Sequence, residues 1–516
     1  MIVAPQSVFR LLHDIPFDRD YAHTIYFRSQ SAQVSYMTGK VVKSYTQMSY
    51  IKHGENGVYS VKVNETADNV YGCNYCMFQN MGFGAKWFYG FVVGINYVNN
   101  DVTEISFVVD HWQTWLFELE VHECYVEREH VSDDTVGKHT VEENLPIGDY
   151  VVSGDAVTVD CGSGVMVQMA YDTGGSMQMG VFSGLYLQGA STAGAGSIAD
   201  LLTQFADTPE RVAMVSMCSG DMVAGSSVHA ATKSMGITRN LSVGFRFNGD
   251  TYIPQNNKLY CYPYQLLTLD NYNGNSQTYR WEDFTNGSGT LSANFVINEM
   301  PIPRPSMECF PVNYKGITNA QNFGVIYDNF PMCPYVIDTY RAWSSQVTPK
   351  MLISTGSEIA VGVMSGGIIG GAQALLGKSM ELANYAVEQS YHQTHSTSYG
   401  GTIAGSGLNF NQNRIGFRLL HQTIKPEYAR IIDNYFTRFG YRVMEYKTPN
   451  LTSRTSFNYI KTIESNIGGN IPQEAIDTIE NSLDRGITLW HTLDIRNYAV
   501  KNRIVGEVNG KEEKAE

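Results

Sequence analysis

The sequence predicts an α+β fold, predominantly antiparallel β, carrying one long hydrophobic insertion. Three observations predict it. Apolar and polar residues alternate at period two through much of the first half, Asn-Gly pairs mark two hairpin turns, and the clearest helical periodicities come late in the chain. Composition agrees: 48 glycines and 33 tyrosines against 17% charged residues suit short strands and turns better than a helical bundle.

The elements follow in order. Tyr59, Val61 and Val63 alternate with Ser60 and Lys62, and Ile105, Phe107 and Val109 interleave with Glu104, Ser106 and Val108, as in half-buried strands. Leu241, Val243, Phe245 and Phe247 repeat the pattern and run into Asn248-Gly249, whose residue types supply the positive φ angles of a type I′ turn. A second hairpin is expected at Asn273-Gly274, between Leu266–Tyr272 and Gln277–Trp281. Pro426 opens a helix with Tyr428, Ile431, Ile432, Tyr435 and Phe436 on one face, closed by Gly440. Pro472 opens another, with Ala475, Ile476, Ile479 and Leu483 inward and Gly486 just past its end. Pro334–Val347 reads as a third, burying Val336, Tyr340 and Trp343.

These signals divide the chain into a β domain over 1–140, a variable β domain over 141–250 and a β-rich domain with a short helix over 251–351. A hydrophobic insertion over 352–412 and an α+β segment over 413–516 complete it. The insertion centres on Ile359–Gly377, nineteen uncharged residues between Glu358 and Lys378. As a helix it would reach about 28 Å, close to the hydrocarbon thickness of a bilayer. Gly362, Gly366 and Gly370 recur at four-residue spacing, which in an apolar helix leaves a flat stripe for close helix contact. Six glycines also make the stretch a poor helix in water, so a flexible loop or a buried packing segment fits the same residues. The tract HQTHSTSYGGTIAGSGLNFNQN beyond it reads as loop, and its His392 and His395 as solvated side chains.

Chemistry is sparse. Asp172-Thr173-Gly174 has the form of an aspartic protease turn, but that mechanism needs two carboxylates sharing a proton and no second such turn follows. A peptidase built on Asp172 is the weakest of the readings. Cys73-x-x-Cys76 lies in a strand-like segment that would send the two sulfurs to opposite faces. His122, Cys124 and His130 stand among Glu120, Glu123, Glu127 and Glu129 without metal-ligand spacing, and read as a charged surface strand. With no nucleophile elbow, phosphate loop or dinucleotide fingerprint, neither a catalytic site, a cofactor nor a metal is expected. The aromatic groups Trp87-Phe88-Tyr89, Trp112 with Trp115 and Phe117, and Trp281 with Phe284 read as core and interface packing. Their alternative is stacking on cell-wall glycan by an adsorption protein.

The charge balance is 36 basic against 50 acidic residues, a net of −14, with no basic stripe for gripping phosphates. Met1–Asp14 lacks the basic start and apolar stretch of a secretory signal, and eight cysteines are too few for a stapled secreted fold. Synthesis in a reducing cytosol is expected.

Several aromatic-rich stretches carry a resemblance. LLHDIPFDRDY (11–21), CMFQN (76–80), KWFYGFV (86–92), DHWQTWLFE (110–118) and VEREHV (126–131) resemble the opening of one family. KPEYARIIDNYFTRFGYRV (425–443), KTPNLTSRTSFNYIKT (447–462) and RGITLWHTLDIRNY (485–498) resemble its end, with weaker echoes at KLYCYPYQLLTL (258–269) and YVIDTYRAW (335–343). The family is the tail knob, or distal tube, proteins of small short-tailed bacteriophages of Gram-positive hosts. The resemblance implies β-barrel or sandwich-like tube domains assembling into a homohexameric ring, in contact with other tail proteins (collar and tube). It implies a virion protein made in the bacterial cytoplasm, with phage DNA passing its lumen unbound. It also implies a hydrophobic loop that plugs the lumen and then enters the host cytoplasmic membrane. Here that loop maps to Val361, Met364, Ile368, Ile369, Leu375 and Leu376, with Gly362, Gly366 and Gly370 as the helix-contact stripe.

Overall fold

A computed structural model describes residues 7–334 and 415–506, apart from 49–51, 54–56, 80–83, 85, 155, 163, 170–184, 188–211, 224–230, 242–243, 248, 285–289, 301–304, 316–322, 329 and 331. The fold is mostly antiparallel β and separates into two units. The first comprises Met1–Pro146, Gln255–Lys258 and Arg430–Glu516, and the second Ile147–Pro254 and Leu259–Ala429.

In the first unit a seven-stranded sheet runs in the order Val41–Met48, Ser7–Leu12, Tyr75–Gln79, Trp87–Asn99, Val102–Val109, Val58–Val63, Lys52–His53. Its central strands are apolar on both faces because both are covered. Phe9, Leu11, Val61, Val63, Cys76, Ile105 and Phe107 fill one core. Tyr75, Met77, Tyr89 and Phe91, the alternate residues, fill another with Trp112 and the helix Gln473–Arg485. That helix buries Ala475, Ile479 and Leu483 at the expected spacing, with Pro472 before it and Gly486 (φ +100°) after it. Its Ser482 Oγ accepts the indole N–H of Trp112 at 2.7 Å.

The second sheet of this unit runs His23–Ile25, Ile487–Trp490, Phe457–Ile463, Cys124–Glu129, Tyr441–Lys447, with a parallel pairing only between the first two. Here the reading of a charged surface strand is corrected. Cys124–Glu129 lies between two neighbours, so Arg128, Glu129 and the following His130 are buried. Their charges are compensated from distant sequence: Glu143 takes hydrogen bonds from Arg128 and Lys258, and Lys447 pairs with Glu129 at 2.8 Å.

The helix Pro426–Phe439 is present, closed by Gly440 at φ +64°. Its inward face is rotated from the expected one: Ala429, Ile432, Asp433 and Phe436 are buried and Ile431 is 65% exposed. The apolar count misled because the buried face includes Asp433. This carboxylate accepts the backbone N–H groups of Gln255 (2.7 Å) and Asn256 (3.1 Å), holding the crossing segment in the first unit.

Among the described residues the second unit holds three sheets of four or more strands. One runs Tyr150–Val152, Gly416–Ile424, Gln265–Asp270, Ser276–Arg280, with Val157–Asp160 also on Gly416–Ile424. Another runs Thr232–Asn240, Thr290–Met300, Ser306–Pro311, Val325–Tyr327, and the third Leu185–Leu187, Gly164–Met169, Val212–Cys218, Met332–Pro334. Phe245–Phe247 pairs with Asp250–Tyr252, placing Phe247 opposite Asp250 across the expected two-residue turn with Gly249 at φ +83°. The strand before the turn starts at Phe245, later than the alternation suggested. The second hairpin also forms, but Asp270 pairs with Ser276, so its loop covers 271–275. Asn271 sets that loop length, its side-chain oxygen accepting from the amides of Asn273 and Asn275. Pro334 ends a strand instead of opening a helix, and the rest of Pro334–Val347 lies outside the described residues.

Candidate functional site: the base of the apolar insertion

Val361, Gly362, Met364, Gly366, Ile368, Ile369, Gly370, Leu375 and Leu376 all lie outside the described residues, as do His392, His395 and Asp172-Thr173-Gly174. What the structure gives is the ground from which that segment departs and to which it returns. The departing strand Met332–Pro334 pairs with Val212–Cys218, Met214 facing Pro334. Just before it, Phe330 packs on Tyr327 with ring centroids 4.8 Å apart.

The return is held more firmly. Ile415 is fully buried, and its carbonyl accepts the Cys161 amide at 2.7 Å. Gly416 follows at φ +150°, where a side chain would place Cβ 2.0 Å from the Val159 carbonyl oxygen, so only glycine fits. Gly416–Ile424 is then paired on both edges, with Phe417 and Leu419 fully buried. Arg418 Nε donates to Asp270 Oδ1 at 2.9 Å, and its guanidinium lies 5.1 Å from the Tyr272 ring centre. Thr268 Oγ1 donates to Gln422 Oε1 at 2.7 Å.

A polar lock adjoins this return. Cys161 also accepts the Gly220 amide at 2.8 Å, and next to Gly220 the Ser219 hydroxyl donates to buried Glu299 at 2.7 Å. Lys233 bridges Asp221 and the Asp160 carbonyl. Burial raises the Glu299 carboxyl, with the Ser219 and Cys161 hydrogen bonds opposing it. Burial likewise pushes the Cys161 and Cys218 thiols far up, so both stay protonated and are poor nucleophiles. The arrangement holds chain in place; it does not activate a reacting atom.

The other candidates settle as structural residues. Cys76 sits on a strand and Cys73 in the turn before it, both reduced and both in one core cluster. The expected opposite-facing pair is therefore corrected, because Cys73 precedes the strand. His122 is exposed beside Gly468, whereas Cys124 and His130 are buried. Among the described residues no three His, Cys, Asp or Glu side chains are grouped to hold a metal ion. Among the same residues no helix is long and apolar enough to cross a membrane. Trp112, Trp281, Tyr89 and Phe284 are core residues, as the aromatic clusters suggested, while Phe117 is 41% exposed.

This β architecture, in which two paired strands flank the apolar segment of the sequence, has counterparts among known proteins. Residues 227–503 match the family model described as Bacillus phage phi29, Tail knob protein gp9, C-terminal domain, which is more than half of the chain. The chain belongs to the tail knob protein family of bacteriophages. Residues 5–120 also match the Caudoviral major tail protein N-terminus. Tail knob protein gp9 of Bacillus phage phi29 is 24% identical over 593 aligned residues, covering 96% of this chain and 98% of that protein. The gp9 of Bacillus phage PZA is 25% identical with the same coverage. The fold is similar to that of the bacteriophage C1 tail knob protein gp12, at a TM-score of 0.59 and 14% identity, covering 97% and 100% of the two chains. This tail knob protein is thus a structural component of the virion tail, associating with other tail proteins.

Proposed function

We propose that this tail knob protein forms a homohexameric ring at the end of a short tail, contacting the collar and tube, through which phage DNA leaves. Residues 359–377 of each copy plug the lumen before infection and enter the host cytoplasmic membrane during genome delivery. The observation that carries this reading is the uncharged run Ile359–Gly377 in a chain of the tail knob family. Six apolar loops shielding one another in a closed lumen exchange that packing for lipid, at roughly 25 cal/mol per Å² of apolar surface. The absence of charge keeps insertion inexpensive, since each buried charge would cost about 3 kcal/mol. Val361, Met364, Ile368, Ile369, Leu375 and Leu376 provide the lipid-facing surface in this scheme, and Gly362, Gly366 and Gly370 the contact between neighbouring helices. The locked return at Ile415 and Gly416 fits a loop that moves while its base stays fixed. The net charge of −14 fits passage of DNA without adhesion.

Deleting 359–377 tests the proposal. The variant should assemble like the parent, fail to release dye from liposomes and fail to deliver DNA. An assembled variant that still permeabilises liposomes and supports delivery overturns the membrane role.

A further inference from the structure

Five polar side chains, His421 at their centre, meet in the core of the second unit. Gln265 and Thr423 stand opposite each other on paired strands, and His421, two residues before Thr423, shares their face. Trp281 sets its indole edge-on to the imidazole, with ring centres 5.1 Å apart at 89°. Arg239 reaches in from the Thr232–Asn240 strand, placing Nη1 on both ring nitrogens of His421 and Nη2 on the Gly244 carbonyl. None of the five is more than 6% exposed.

The hydrogen-bond bookkeeping there is one-sided. Gln265 Oε1 lies 3.1 Å from His421 Nε2, and Arg239 Nη1 reaches both ring nitrogens; a guanidinium only donates, so the nitrogen that accepts from it carries no proton. The imidazole is therefore neutral, and burial with the neighbouring Arg239 charge holds its pKa well below the ordinary range. That leaves Arg239 Nε, Gln265 Nε2, Trp281 Nε1 and Thr423 Oγ1, all buried and all without a hydrogen-bond partner. Among the described residues, the groups acting electrostatically on Arg239 are the Tyr260 phenol and Arg246, and neither supplies a carboxylate. A buried guanidinium without a counter-charge is costly, and so is each orphaned donor.

We propose that this cluster is a buried site for one small inorganic anion of halide size, bound by Arg239, Gln265, Trp281 and Thr423. Water would satisfy the donors and leave the charge uncompensated; a monatomic anion does both. Buried N–H and O–H donors beside a guanidinium have the chemistry of chloride recognition. Two of its ligands lie on Gln265–Asp270 and Gly416–Ile424 and a third on Thr232–Asn240, so the anion ties together two sheets of the second unit. One of these strands is the return strand of the insertion, so the anion braces the insertion's base. This inference is independent of what the insertion does.

The test uses the full chain in sodium chloride against sodium gluconate at equal ionic strength. The melting temperature should rise with chloride, saturably, and stay unchanged in gluconate. Thr423→Val, isosteric and lacking the donor, should raise the half-saturating chloride concentration about tenfold, which corresponds to ~1.4 kcal/mol. Bromide should quench part of the tryptophan emission saturably, and Trp281→Phe should remove that part. Arg239→Met should abolish the chloride dependence; should that variant not fold, Thr423→Val and the bromide titration decide the matter. Equal melting in the two salts, or an unchanged chloride dependence in Thr423→Val, overturns the site.

Discussion

His130 and Asp110 show how single buried groups in the first unit set its response to acid. His130 Nδ1 accepts the Tyr459 amide at 2.7 Å while its Nε2–H donates to the Thr437 carbonyl at 3.0 Å, an arrangement open only to the neutral ring. Burial, with Arg454 and Arg128 nearby, lowers its pKa to about 3. The unfolded chain therefore binds this proton first, and stability falls as pH drops from about 6.5, by ~1.4 kcal/mol per unit. Asp110 works in the opposite sense. Burial raises its carboxyl to about 6 despite hydrogen bonds from the Gln113 amide and the Tyr75 hydroxyl. The folded state takes up that proton before the unfolded one does, so stability rises as pH falls from about 6 towards 4. The two slopes offset each other across that window. Asp110→Asn should remove the offset, so that urea unfolding at pH 6 and pH 4 shows the variant losing ~1.4 kcal/mol per unit more than the parent. Parallel slopes would show that Asp110 does not titrate there.

At the scale of elements, the helix Pro426–Phe439 gives the sharpest contrast. Ile431→Ser should change stability by less than about 0.5 kcal/mol, because that side chain is 65% exposed. Asp433→Ala should cost about 3 kcal/mol, because it strands the Gln255 and Asn256 backbone amides and removes one of the acceptors of the Asn256 side-chain NH₂. Chemical denaturation of both variants checks the pair, and a reversed order would refute the burial assignment. The same helix shows what was legible in the sequence. Its limits at Pro426 and Gly440, like those at Pro472 and Gly486, follow from the backbone chemistry of proline and glycine, which is local. Period-two runs such as Val58–Val63 were legible for the same reason. The inward face of Pro426–Phe439 was not, because Asp433 is buried by partners that come from Gln255 and Asn256. The burial of Arg128 and Glu129 was equally hidden, since Glu143 and Lys447 supply their charges. Nor did the sequence single out Gly416 among its neighbouring glycines, as the constraint on it is the Val159 carbonyl far upstream.

For the whole molecule, membership of the tail knob family rests on motifs distributed over the chain, and these were readable before any fold. The candidate site was legible only as composition: an apolar, glycine-striped run between Glu358 and Lys378. Its anchorage emerges from pairings between segments distant in sequence, Met332–Pro334 with Val212–Cys218 and Gly416–Ile424 with Val157–Asp160 and Gln265–Asp270. The proposed function requires that copies of this chain enclose a conduit. Electron microscopy of the purified protein is the decisive measurement. Closed six-fold rings with an axial channel are expected; particles that remain monomeric, or rings without a channel, would refute the conduit.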